Sequence, residues 1–278
     1  MAKNFLNYML YNRQKCLLSI INQLNENGIA SRTYLMKTLF LLKQEFPDFG
    51  YDFYPYSFGP FSQTAFWDLD YLKTQNLISS DEREITKNGK EKMNADDQIL
   101  AQVINFTKQF ANNSEIISFV YAKYPEYTEK SKLVEHKNIK QAGKFTIGYE
   151  GKSIDYFMNQ LIQNKITKLI DVRKNAYSMK RGFSKGTLQK MVENAGIQYE
   201  HIPKLGIESD KRQKLDTKED YEKLFKEYRV SLLTRANELN YVSDAGCKEK
   251  IAIMCFEKDP KYCHRGQISD YIGGFGHL

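Results

Sequence analysis

Apolar residues in the first half of the chain recur at helical spacing. Leu10, Leu17, Leu18, Ile21 and Leu24 fall on one face of a helix, which Asn27-Gly28 stops. Ser31 or Thr33 caps a second helix carrying Leu35, Leu39 and Leu42, which ends before Pro47. An aromatic-rich loop, Tyr51 to Phe58, closes at Gly59-Pro60, and Ser62 or Thr64 caps a third helix holding Ala65, Leu69 and Leu72. Asn76-Leu77-Ile78, a polar hairpin-like stretch and Ile85 to Gly89 follow, then a helix or helix pair within Gln98 to Tyr121.

From Lys144 the pattern alternates between strands and helices. The predicted strands are Phe145–Gly148, Lys168–Val172, Ile197–Ile202 and Lys250–Phe256. Between them lie a helix capped by Ser153, a helix from Lys185 to Ala195 stopped by Gly196, and a long helix from Asp220 to Asn240. Ser269 to Ile272 belongs to a last helix. Such alternation predicts an α/β, Rossmann-like parallel sheet with helices on both faces. The expected organisation is a mainly helical domain over 1–127, a polar linker over 128–143 and an α/β domain over 144–278.

Composition narrows the class. The 278 residues are 41% hydrophobic and 27% charged, as in ordinary globular proteins. The apolar run Ile251 to Phe256 is far short of the ~20 residues that span a bilayer, so no membrane partner is expected. Met1 to Leu10 does not read as a signal peptide, and four Cys without framework spacing fit a reducing cytoplasm. Net charge is +7, with 17 Lys+Arg against 16 Asp+Glu in residues 1–140 and 24 against 18 thereafter. The excess favours an anionic partner such as nucleic acid, DNA before RNA.

The stretch "DLDYLKTQNLI…EITKNGKEKM" resembles winged helix-turn-helix proteins, and "YSFGPFS" resembles antitoxin-associated helical domains of that arrangement. The resemblance implies that the helix Ser62–Thr74 is offered to a groove, with Leu77-Ile78 and Glu84-Ile85-Thr86 as wing strands and Ser79–Arg83 as the tip. Asp68 and Asp70 make that helix acidic, so phosphate contacts are expected from Arg83, Lys87, Lys90 and Lys92. Core packing is the competing reading for Phe66 and Trp67.

In parallel sheets, ligands sit outside the carboxyl ends of the strands. That rule collects Tyr149 and Glu150, Asp171 and Arg173, His201, and the segment Cys255 to Arg265. Residues 144–272 resemble the domain of unknown function 488 family through "TIGYEGKS", "DVRKNAYSMKRGFSK", "HIPKLG" and "CFEKDPKYCHR". The resemblance implies an α/β sandwich with a shared polar pocket and assigns no reaction. Ala176 stands where Pro is usual and Lys204 where an acid is common.

Glu257, Asp171 and Glu150 are the candidate catalytic carboxylates. For Glu257 the alternative is an ion pair with Arg265 or Arg173; for Asp171 it is a salt bridge to Arg173 that only ties loops. Tyr149, Arg173, Tyr177, Ser178, His264 and Arg265 are candidate substrate contacts. Lys180, Arg181 and Lys185, interleaved with Tyr177 and Phe183, are candidate nucleic-acid contacts. Gly148 to Ser153 lacks the glycine spacing of a phosphate loop. Cys255, Cys263 and His264 show no paired ligand spacing, so neither a metal nor a cofactor is expected, and Cys263 reads as a packed thiol. The expected function is hydrolysis of a sugar–base bond in nucleic acid, as in a DNA glycosylase acting on a flipped, modified base in defence against foreign DNA. The alternative is a DNA-binding regulator that senses a nucleotide or modified base without catalysis.

Overall fold

The computed structural model describes residues 9–29, 31–81, 84–135, 141–208, 210–212 and 215–278. It divides into two compact units, Met1–Val134 and Glu135–Leu278.

In the first unit, α1 (Asn12–Glu26) and α2 (Arg32–Glu45) precede a short antiparallel hairpin of β1 (Tyr54–Tyr56) and β2 (Gly59–Phe61). Sequence reading places a loop here. Gly59, at φ 86°, turns the chain back, and aromatic rings on both strands fill the short ladder. α3 (Gln63–Thr74) starts at Ser62, whose hydroxyl accepts from Ala65 N–H. The expected wing pairing is reduced to one bridge, Ile78 with Ile85, flanked by Ser79 N–H to Glu84 O (2.8 Å) and Thr86 N–H to Leu77 O (3.1 Å). The short helix α4 (Lys87–Lys90) and then α5 (Asp97–Gln109) and α6 (Asn113–Lys123) complete the unit. Leu17, Leu39, Phe40, Leu69, Val103 and Val120 meet in one core. Asp68 corrects the expected acidic helix face. It is 1% exposed and accepts from Arg13 (2.7 Å), Gln14 (2.8 Å) and Tyr51 (3.0 Å), so it ties the core together from inside.

The second unit runs β3 (Gly143–Gly148), α7 (Ile154–Gln163), β4 (Lys168–Asp171), α8 (Lys185–Asn194), β5 (Gln198–His201), α9 (Lys218–Leu232), α10 (Ala236–Lys248), β6 (Lys250–Cys255), α11 (His264–Ile272) and β7 (Phe275–His277). The five strands form one parallel sheet in the order β5-β4-β6-β3-β7. β6 is central because it is the most apolar, buried from Ile251 to Cys255 as a strand covered on both faces must be. Ile251 and Ile253 pack with Leu224, Leu232, Leu239, Val242 and Ile268 of α9, α10 and α11. Ala252 and Met254 point to the opposite face, and α7 and α8 bury Phe157, Leu161, Leu188 and Val192. Each such side chain, fully buried, contributes about 1.5–3 kcal/mol.

Two expectations are corrected. The long helix is two, because Ser231 and Thr234 turn their hydroxyls onto the carbonyls of Tyr228 and Ser231 and the chain tightens into i to i+3 bonds. The edge strand β7, three residues long and half exposed, carries no apolar run by which it could be read.

Candidate functional site

Three loops leave neighbouring strands at the carboxyl edge and are bonded to one another. After β3, the amides of Tyr149 and Glu150 both donate to Phe256 O, at 3.0 and 2.8 Å. Gly148 allows this approach, since a Cβ there would lie 1.9 Å from Glu257 O. Glu150 is exposed, but its Oε2 accepts Lys258 N–H at 2.8 Å. Tyr149, expected as a stacking platform, is 3% exposed and already stacked on Phe183 at 4.3 Å, with Phe256 edge-on. Its face is therefore spent inside the fold.

After β4, Asp171 is fully buried and Arg173 is 4% exposed. Arg173 Nη2 donates to Asp171 Oδ2 at 2.6 Å and Nε to Oδ1 at 2.9 Å, while Tyr199 donates its hydroxyl to Oδ2 at 2.7 Å. Arg173 Nη1 reaches Tyr149 Oη and Phe183 O, at 3.0 and 2.9 Å. Burial opposes the guanidinium charge, but Asp171 outweighs it and the Arg173 pKa rises. Burial, then Asp171, pushes the Tyr199 hydroxyl up. The Asp171–Arg173 contact expected from the sequence is present, and the guanidinium also bonds Tyr149 and Phe183. His201, at the end of β5, bonds Arg173 O through Nε2 at 2.8 Å.

Between β4 and α8, the loop holds Tyr177 and Met179 at 67% and 87% exposure, with Lys174, Arg181 and Lys185 also exposed. Ser178 is internal to the loop: its amide donates to Ser184 Oγ and its Oγ accepts Lys180 N–H. Lys180 Nζ reaches Tyr149 O at 3.1 Å. Ala176 is buried, and its carbonyl accepts Lys185 N–H at 2.8 Å. Lys204 is exposed and paired with Glu238.

After β6, the Glu257 carboxylate is 18% exposed and paired with Arg212, not with either arginine expected from the sequence. It also accepts from Cys255 Sγ at 3.3 Å. Burial alone would raise its pKa; Arg212 and hydrogen bonds from Cys263 and Cys255 more than offset this and lower it. Arg265, expected as an anion clamp, is 1% exposed and donates to Glu257 O and Lys258 O, so it fastens the loop. Lys152 is pushed down to about 8 by burial, with Arg265 and Lys258 adding repulsion. His264, expected at the substrate, is 2% exposed; its Nε2 lies 2.9 Å from Val172 O and its Nδ1 faces Cys255 and Cys263. Burial, then Cys255, pushes the Cys263 thiol up.

Residues 153–272, which hold β4, β5 and β6 and the loops that follow them, match a family model. The α/β unit is a member of the family described as domain of unknown function DUF488. No curated protein and no solved structure matches the chain. Within this DUF488 unit, the fold gathers Glu150, Tyr149, Asp171, Arg173, Glu257, His264 and Arg265 at one edge. Among the expected nucleic-acid contacts, Lys87 is exposed on the separate first unit, and Arg83 lies outside the described residues. Arg212 and Tyr199 went unremarked in the sequence. Arg212 lies in a polar stretch with no periodicity, whereas Tyr199 could have been found by strand alternation two residues from His201.

Proposed function

We propose that the DUF488 unit binds nucleic acid at this edge and hydrolyses a sugar–base bond there, with Glu257 stabilising the positive charge that develops on the sugar. The observation that carries this reading is the Glu257 carboxylate itself. It is held in its charged form chiefly by Arg212, yet still partly open, beside exposed Glu150. Asp171 takes no part, because Arg173 and Tyr199 already occupy its oxygens. Exposed Arg181 and Lys185 supply phosphate contacts, and Tyr177 supplies an open ring for an extruded base. In the first unit, α3 followed by the Ile78–Ile85 bridge has the order of a winged helix, and Lys87 and Lys90 face solvent for a backbone contact. DNA carrying a modified base is the preferred substrate in this reading.

Mass spectrometry of modified and unmodified DNA after incubation tests it, with released base or abasic sites expected. Glu257→Gln should bind DNA nearly as before and turn over on the order of 10²–10³ more slowly, the loss typical of a single preorganised electrostatic contact. Turnover near that of the wild type would refute the assignment.

A second reading, a sensor that binds without chemistry, is favoured by one observation. Arg173 and Arg265 are both consumed by contacts inside the protein. Tight binding with unchanged DNA would support it.

A further inference from the structure

Cys255 ends β6, and Cys263 and His264 open α11. The intervening segment turns sharply: Cys263 N–H bonds Pro260 O, and Gly266 lies so close that a Cβ would come 2.1 Å from that same carbonyl. The turn brings Cys255 Sγ, Cys263 Sγ and His264 Nδ1 within 4.8 Å of one another, all three residues buried. These are three soft or borderline donors at one point, which spacing along the chain does not reveal.

We propose that this cluster is a zinc site with Cys255, Cys263 and His264 as ligands and the fourth position left for water beside Glu257. Four features argue for it. The first is distance. With Zn–S about 2.3 Å, Zn–N about 2.0–2.1 Å and tetrahedral angles, sulfur and nitrogen ligands stand about 3.6 Å apart. His264 Nδ1 lies 3.6 Å from Cys255 Sγ and 4.0 Å from Cys263 Sγ. The second is the tautomer. Val172 O can only accept, so Nε2 carries the ring proton and the Nδ1 lone pair faces the two sulfurs. A backbone carbonyl holding the far nitrogen is how ligating histidines are commonly oriented. The third is charge. Two thiolates and Zn²⁺ sum to zero, so the buried cluster would carry no net charge, and Glu257 beside it is balanced by Arg212. The fourth is access. The three ligands are closed off, but Glu257 is partly open, so water can reach the fourth position from its side. Binding displaces one proton from each thiol, two per metal ion, to solvent.

The test uses the full-length reduced protein with zinc and cobalt(II) ions alone. Elemental analysis should find about one zinc per chain. Cobalt in its place should give the intense visible bands of a tetrahedral ion with thiolate charge transfer. Cys263→Ser and His264→Ala should each lower zinc occupancy at least tenfold. The double variant Cys16→Ser/Cys247→Ser, which removes the two thiols outside the cluster, should leave it unchanged. Glu257→Gln should retain the metal even if it abolishes turnover, which separates failure of the metal site from failure of the catalytic reading. A pale octahedral cobalt spectrum from the wild-type protein would overturn the site whether or not the variants fold. Loss of zinc from Glu257→Gln would overturn the three-ligand assignment.

Discussion

Replacing Asp171 by Asn separates a structural ion pair from a catalytic carboxylate. Asp171 is fully buried; its oxygens accept Arg173 Nε and Nη2 and the Tyr199 hydroxyl, at 2.6–3.1 Å. Asn preserves the shape but removes the charge and turns one acceptor into an NH₂ group facing donors. Arg173, 4% exposed, is then a buried cation without its counter-ion. Breaking such a pair costs about 3–5 kcal/mol, a large part of the ~5–15 kcal/mol that holds a domain folded. The expected fall in Tm of the second unit is on the order of 10 °C. Thermal unfolding followed by circular dichroism measures it, and urea unfolding gives the loss of free energy. The chain's one tryptophan, Trp67, belongs to the first unit, so its fluorescence transition serves as an internal control that should not move. Asp171→Leu/Arg173→Met, which removes both charges, should recover much of the loss. A destabilisation below about 1 kcal/mol would refute the argument. Lost turnover at unchanged stability would move Asp171 into the reaction.

Lys37, in α2, is 2% exposed with Nζ donating to Phe58 O and Pro60 O, and burial pushes its pKa down from 10.5 to about 7. Below pH 7 both folded and unfolded states hold the proton, and folding bears the whole desolvation cost. Between about 7 and 10.5 only the unfolded state keeps it, so stability should climb with pH, by at most about 4–5 kcal/mol. Lys37→Met should flatten that rise in urea titrations read by Trp67 fluorescence, and an undiminished rise in the variant would sink the assignment. Arg181→Ala/Lys185→Ala should weaken DNA binding across all sequences and reduce the slope of log affinity against log salt by about 1 per lost contact; an unchanged slope would place the nucleic acid elsewhere.

The α/β half was legible because its strands are short apolar runs punctuated by Gly and by caps. Gly148, Ser153, Gly196 and the run Ile251–Cys255 each mark an element boundary close to where it stands. The break between α9 and α10 was hidden because Leu232, Leu239 and Val242 keep helical spacing across it while two hydroxyls quietly capture backbone carbonyls. Residue class and edge position were legible for the site, but partnership was not. Asp171 and Glu257 look alike in sequence, each closing a buried strand. Only the fold shows that one is saturated by Arg173 and Tyr199 while the other keeps an open side toward Arg212. The thiol–imidazole trio was noticed in the sequence, but its spacing argued against a metal for a related reason. Its donors are brought together by a strand end meeting a helix start, a closure that residue spacing does not encode.

Strand order explains why Glu257 is left partly open. From β3 the chain passes β6 to reach β4, whereas from β6 it passes β3 to reach β7, so the connections leave these adjacent strands in opposite directions. In open parallel sheets such a switch leaves a crevice that ligands enter. Here the protein fills it. Phe256 O receives two amides from the loop after β3, Gly148 lies against Glu257 O, and Arg265 holds two further carbonyls of the same segment. Loops bonded this closely leave no opening between them, and the exposed groups lie outward, on the carboxylate side of the segment. There Glu257, Arg212, Glu150 and Lys258 remain within reach of solvent. Arg265 and the Cys263 N–H to Pro260 O bond hold the Cys255–His264 turn closed. The same segment therefore holds two buried thiols next to a carboxylate that stays partly open.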